Sequence, residues 1–139
     1  MKMKLNEIIN NYMNLTAIAK KKLPIKLSFA ISKNMIALES DAKIIDAKRV
    51  ELAKLYCTKD ENGEPIVDAD GNINIDKESK AKFESELNSY YDSETNEVIT
   101  MIDEDEIYIK MEDERYDPLS PAEILALGFM MDSSKSKDK

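Results

Sequence analysis

The stretch that decides the fold runs from residue 25 to residue 57, IKLSFAISKNMIALESDAKIIDAKRVELAKLYC, and contains neither glycine nor proline. Apolar residues recur seven apart within it, at Ile31, Leu38, Ile45 and Leu52. A companion column lies four residues ahead, at Ser28, Met35, Ala42, Arg49 and Tyr56. This 3-4 alternation predicts one long helix with a coiled-coil-like seam. We expect the apolar residues beside the seam to pack on further neighbours: Ile36, Ile44, Val50 and Leu55.

A shorter amphipathic helix is predicted before it, over residues 4 to 20. Its apolar stripe follows three- and four-residue steps: Leu5, Ile8, Ile9, Tyr12, Leu15 and Ala19. Lys20, Lys21 and Lys22 follow it, and in a last helical turn their charges would complement the helix dipole. Pro24 then separates the two helices, because proline disfavours helical backbone in the residue before it.

Residues 60 to 75, DENGEPIVDADGNINI, predict a small β-hairpin. Asn62-Gly63 and Asp70-Gly71 are dipeptides that tolerate positive φ, and short apolar runs flank the second of them. The oxygen-bearing residues at steps of two also resemble a calcium loop: Asp68, Asp70, Asn72, Asn74 and Asp76. An EF-hand, however, needs glycine at its sixth position and an acid at its twelfth, whereas here Gly71 comes fourth and Ser79 twelfth. The pattern therefore favours a polar turn over a metal site.

Three further elements complete the prediction. Asp76 is placed as the N-cap of a third helix over residues 77 to 91. Two β-prone runs, 98 to 102 and 107 to 111, predict a second hairpin. Ser120, Pro121 and Glu123 form a capping box that starts a helix over residues 121 to 127, which Gly128 would end.

The fold class predicted from these elements is α+β and mainly helical. It consists of one long helix packed with two or three shorter helices, plus two small β-hairpins. At 139 residues the chain suits a single globular domain, assigned to residues 1 to 131. Residues 132 to 139, DSSKSKDK, are polar and predict a disordered tail.

Composition argues against catalysis. The chain has no histidine, which is the commonest general base and metal ligand near neutral pH. It also lacks a glycine-rich phosphate loop and paired-cysteine spacing, so the sequence predicts no enzyme, no metal and no cofactor. Its single cysteine, Cys57, is interpreted as a small buried residue. No run reaches the roughly 20 apolar residues that span a membrane, so a cytoplasmic protein is predicted.

Charge is sorted along the chain. Residues 1 to 59 carry 12 basic and 5 acidic residues, whereas residues 60 to 117 carry 5 and 20. Acidic residues of the second half form the predicted partner-binding site: Asp103, Glu104, Asp105, Glu106, Glu112, Asp113 and Glu114. On a strand, same-face carboxylates would stand about 6.8 Å apart, close to the phosphate repeat of nucleic acid. The alternative is a solvated acidic face.

Four stretches resemble, in this order, a family of small uncharacterised proteins from phages and prophages of low-GC Gram-positive bacteria. They are LPIKLSFAISKN (23 to 34), KLYCTKDENGEPIVDADGNINI (54 to 75), FESELNSYYDSETNEVI (83 to 99) and PLSPAEILAL (118 to 127). The resemblance spans most of the chain and includes no catalytic residue. It implies a phage protein that acts in the cytoplasm of a host cell.

The leading hypothesis is a phage-encoded, non-enzymatic protein-binding module that inhibits or redirects a host protein complex, as an anti-defence factor would. Its partner would be a host or phage protein. One alternative is a phage structural or assembly protein that forms a homo-oligomer, and another is an acidic nucleic-acid mimic. A further alternative is an enzyme or a small-ligand binder that uses carboxylates and tyrosines such as Tyr90, Tyr91, Tyr108 and Tyr116. Direct binding of nucleic acid is disfavoured by the net charge of −8.

Overall fold

The fold is α+β and mainly helical, as predicted. The structure, a computed structural model, describes residues 1 to 110 and 113 to 132. Its helices are α1 (Leu5–Ile18), α2 (Ile25–Leu55), α3 (Lys80–Tyr91), α4 (Glu104–Lys110) and α5 (Pro121–Ala126), followed by a 3-10 turn (Gly128–Met130). The strands are β1 (Lys2–Lys4), β2 (Glu94–Asn96), β3 (Ile102–Asp103) and β4 (Met131–Asp132). β1 pairs with β2 in antiparallel fashion, and β3 pairs with β4 in parallel.

The long helix forms the spine of the core. Ile31, Leu38 and Ile45 of the predicted seam are buried, and α2 contacts α1, α3 and α4. In the first half of α2, the residues buried beside the seam are Leu27 and Asn34, each one position before the predicted residue of the companion column. Ser28 and Met35, which were assigned to that column, are half-buried.

Several apolar residues of α2 are not covered by any neighbour within the described part of the chain. Ile36, Ile44 and Leu55, which were expected to pack beside the seam, are exposed. Val50 is half-buried. The helix therefore packs on several elements but keeps an outer apolar face in contact with solvent.

α1 buries Leu5, Ile8, Leu15 and Ile18 against α2. The helix ends at Ile18, so Ala19 is exposed rather than part of the stripe. Lys20, Lys21 and Lys22 consequently lie beyond the last turn and not within it, contrary to the predicted dipole role. Lys21 instead joins α1 to α5, since its Nζ lies 2.7 Å from Glu123 Oε1 and donates to the Pro118 carbonyl at 2.8 Å.

Residues 57 to 75, which we call the bridged loop, contain the predicted turns. Gly63 and Gly71 have φ of 79° and 83°, and Val67 bridges Ile73 in antiparallel fashion as the hairpin requires. The loop also closes on itself, because Cys57 bridges Ile75 at its ends. Cys57 is buried, as predicted.

α3 begins later than predicted, at Lys80, with Ser79 in the N-cap position instead of Asp76. Asp76 is occupied elsewhere, because its Oδ1 accepts a hydrogen bond from Thr58 Oγ1 at 2.7 Å. The side chain that predicted a helix start thus holds the end of the bridged loop.

The predicted second hairpin, over residues 97 to 111, is wrong. Residues 104 to 110 form α4, and Ile102 pairs with Met131 of β4 instead of a neighbouring strand. The helix is favoured locally because Glu104, Asp105 and Glu106 occupy its first turn, where the dipole stabilises negative charge. Ile107 of α4 is fully buried in the core.

The C-terminal capping box is confirmed. The Glu123 backbone N–H donates to Ser120 Oγ at 3.2 Å, and the Ser120 backbone N–H donates to Glu123 Oε1 at 2.9 Å. Gly128 lies at C′, directly after the C-cap residue Leu127, as predicted, and without positive φ it begins the 3-10 turn. Asp132, assigned to the predicted tail, belongs to β4, and the other tail residues, 133 to 139, lie outside the described residues.

Candidate functional site

The predicted acidic site is not one continuous strand face. Asp103 ends β3, and Glu104, Asp105 and Glu106 form the first turn of α4. Because α4 is a helix, the strand spacing of 6.8 Å that suggested phosphate mimicry does not apply to these three acids. Glu112 lies outside the described residues.

Several of these acids have local structural roles. Asp103 Oδ1 accepts from the Asp105 backbone N–H at 3.0 Å. Asp113 binds the Arg115 guanidinium, with an Nη2 to Oδ2 distance of 2.6 Å, and Arg115 stacks 5.6 Å from the centre of the Tyr116 ring. Glu114 is exposed. Asp113 is therefore engaged within its own segment, residues 113 to 116.

An apolar groove lies beside residues 103 to 106 and was not predicted. We call it the α2 groove; it lies between the first two turns of α2 and the segment from residue 100 to 106 and has a volume of about 570 Å³. Its lining residues are Ile25, Lys26, Phe29, Ala30, Thr100, Met101, Ile102, Asp103 and Glu106. Ile25 is 81% exposed, Phe29 60% and Met101 43%. Large exposed apolar side chains thus line the groove, and the carboxylates of Asp103 and Glu106 form its acidic rim.

An ion pair borders the groove. Lys26 Nζ lies 3.3 Å from Glu106 Oε1. On its other side is a smaller hollow of about 140 Å³, to which Pro24 and Tyr116 contribute together with Ile25 and both members of the pair. The Lys26 side chain is 73% exposed, so this pair is solvated and contributes little stability. It can therefore open at low cost.

Asn34 of α2 binds the segment that forms the other wall of the groove, residues 100 to 106. Its Nδ2 donates to the Thr100 carbonyl at 2.9 Å, and its Oδ1 accepts from the Thr100 backbone N–H at 2.7 Å. The amide is fully buried, so both of its polar atoms must be paired. By satisfying the backbone of Thr100 on both sides, it sets the position of Met101 and Ile102.

A buried carboxyl, Glu97, lies at the start of the same segment beside the half-buried Asp41. Glu97 follows β2, is 6% exposed, and its carboxyl hydrogen-bonds that of Asp41 on α2. Burial, then the Asp41 hydrogen bond and charge, raise the pKa of Glu97 to about 7, while the amino group of Met1 acts in the opposite direction. Within the described residues, Glu97 Oε1 has no hydrogen-bond partner. Two side chains of α2 seven residues apart, Asn34 and Asp41, thus hold residues 97 to 100.

The tyrosines proposed as a ligand site are dispersed. Tyr90 and Tyr91 pack partly buried against the core, with ring centres 6.1 Å apart. Tyr116 borders the smaller hollow, and Tyr108 on α4 is exposed. The described residues show no cluster of these four side chains around one cavity.

The bridged loop uses its acids to build turns. Asp60 Oδ1 accepts from the backbone N–H groups of Asn62 and Glu64, and Asp68 Oδ1 does the same for Asp70 and Asn72. No group of three metal-binding side chains suited to an ion occurs in the described parts of the chain. Likewise, none of the helices described here is long and apolar enough to cross a membrane.

Sequence reasoning missed the groove because its apolar residues belong to predicted helix and strand patterns. Ile25 and Phe29 stand four apart, a spacing that suggests one helix face, but this face could equally have been buried. Asn34 interrupts an otherwise apolar buried column, and that polar residue was the available signal for a contact with backbone.

Comparison of the chain with protein-family models, with curated proteins and with solved structures gives no match.

Proposed function

We propose that this chain is a non-enzymatic protein-binding module that binds a partner protein through the α2 groove. The observation that carries the proposal is the cluster of Ile25, Phe29 and Met101, three large apolar side chains exposed around one concave surface. Clustered apolar side chains around a concavity are typical of protein-binding surfaces, whereas scattered ones are ordinary.

The rigidity of the groove supports this function. One wall belongs to a 31-residue helix, and the other is attached to that helix by the two hydrogen bonds of Asn34. A surface that is already formed loses little conformational freedom on binding, so more of the contact energy remains as affinity.

The partner proposed is a host or phage protein that offers an apolar anchor to the groove. This choice rests on the resemblance to phage proteins, and it makes the chain an inhibitor or redirector of a host complex, in an anti-defence role. Self-association remains the competing function. The strand spacing of carboxylates that suggested nucleic-acid mimicry does not apply to residues 104 to 106, since these residues are helical.

The test is site-specific photo-crosslinking in a lysate of a low-GC Gram-positive bacterium, with a photoreactive phenylalanine analogue at position 29. The matched control carries the analogue in place of Leu125, which is 81% exposed on α5 and does not line the groove. We expect one discrete protein to crosslink from position 29 and not from position 125. Its purified form should bind the wild type and lose affinity for Phe29→Asp but not for Leu125→Asp.

Two results would contradict the proposal. Equal crosslinking from both positions would mean that position 29 has no specific partner in that lysate. A crosslinked dimer of the chain itself, with no other product, would favour the homo-oligomer instead.

A further inference from the structure

The partner's chemistry can be inferred from the groove, on the assumption that the proposed function is correct. We propose that the partner segment is an amphipathic helix that places apolar side chains over Ile25 and Phe29 and an arginine against Glu106. In binding, this cation replaces Lys26 at the Glu106 carboxylate.

The shape of the apolar surface favours a helix. Ile25, Phe29 and Ile36 lie four and seven residues apart on one face of α2, and all three are exposed. Eleven residues of helix extend about 17 Å, so the apolar stripe is linear and matches the side-chain ridge of a second helix. An extended peptide that binds by adding a strand would need a sheet edge for its backbone hydrogen bonds, and β3 beside the groove has only two residues.

The rim determines the charge of the partner. Two carboxylates line the groove, those of Asp103 and Glu106, and Lys26 is the one cation among its lining residues. A partner with basic residues on the flank of its apolar face would meet this rim with opposite charge, whereas an acidic flank would be repelled.

The Lys26 to Glu106 pair shows where the exchange would occur. The pair lies between the 570 Å³ groove and the 140 Å³ hollow, and both of its members line both spaces. Because the Lys26 ammonium is mostly solvated, the side chain can rotate away from Glu106 into the solvent without a large loss of interaction energy. An arginine can then bind Glu106 with two hydrogen bonds, which lysine cannot do.

The experiment uses the full chain and three synthetic helical peptides of about 18 residues, long enough to follow the stripe. The peptides share one leucine face and differ only in the flanking residues, which are arginine, glutamine or glutamate. Binding is measured by fluorescence anisotropy at about 50 mM and about 500 mM salt, where screening differs strongly. We expect the arginine peptide to bind about tenfold tighter than the glutamate peptide at low salt, and this ratio to fall at high salt.

Two variants test the exchange. Lys26→Ala should raise the affinity for the arginine peptide, because Glu106 no longer has an internal partner. Glu106→Gln should lower that affinity. Lys82→Ala and Glu84→Gln on α3 are the matched controls, since both side chains are exposed and neither lines the groove. The controls should bind as the wild type does.

The outcomes separate this inference from the proposed function. Equal binding of all three peptides, abolished by Phe29→Ala, would overturn the charge preference while leaving the groove as a protein-binding surface. Tighter binding of the glutamate peptide, or an unchanged affinity in Lys26→Ala, would overturn the exchange at Glu106. If no peptide binds in a manner that depends on Phe29, the helical partner is wrong, and the crosslinking result alone decides the proposed function.

Discussion

Replacement of Glu97 by Gln should make the protein more stable at alkaline pH. The pKa of Glu97 is raised from 4.5 to about 7, chiefly by burial and then by Asp41. Between these two pH values the folded chain holds a proton that the unfolded chain releases, so the free energy of unfolding falls as pH rises. At 1.36 kcal/mol for each pH unit, this loss amounts to about 3 kcal/mol by pH 8. Glu97→Gln keeps the shape and removes the titration.

The assay is urea unfolding followed by circular dichroism at intervals from about pH 5 to about pH 8.5, a range that brackets the raised pKa. The difference between Glu97→Gln and wild type should be smallest at about pH 5, should grow up to about pH 7 and should level off above it, because the folded and unfolded states differ in bound protons only between the two pKa values. Glu94→Gln, on the exposed strand β2 nearby, is the control and should follow the wild type. Asp41→Asn should reduce the pH dependence, because Asp41 is one cause of the raised pKa. A constant difference across the range would refute this account of Glu97.

Four further outcomes are expected. Leu38→Ala should lower the free energy of unfolding by about 2 to 5 kcal/mol, whereas the exposed Ile36→Ala on the same helix should change it little; similar effects of both in urea would place the core elsewhere. Ser120→Ala should cost about 1 kcal/mol through loss of the N-cap, and an unchanged melting temperature would argue against the capping box. Asn34→Ala should cost about 2 kcal/mol, because it leaves the half-buried Thr100 backbone groups without their Asn34 partner, and wild-type stability would show that water replaces the amide. Any dimer held by the sorted charges should dissociate in about 1 M salt, where the screening length falls to about 3 Å, and light scattering would reveal a salt-resistant dimer if apolar faces hold it instead.

Local signals made the helices and turns predictable. The period of the apolar residues identified α1 and α2, because the face that a helix buries is determined by residues three and four apart. The Ser120 capping box and the glycines of the bridged loop were readable for a similar reason. The hydrogen bonds and backbone angles they require involve residues within one turn of each other.

Long-range contacts decided the segment that forms the groove wall. Residues 98 to 111 contain two runs of β-prone residues, yet the strand partner of Ile102 is Met131, far along the chain, and the second run became α4. Propensity alone could not choose between these states, because strand preference depends on which neighbour is available to pair.

The sequence by itself determined the mainly helical fold, the long α2 helix with its buried seam, and the separation of positive from negative charge. Only the tertiary structure decided which side of α2 remains exposed, which residues meet at its groove, and that Asn34 and Asp41 hold residues 97 to 100. The physical reason is that helix periodicity records which residues share a face, whereas exposure depends on whether another element covers that face. For Ile25 and Phe29 no element of the described chain does so, and their exposure is what makes the α2 groove a candidate binding surface.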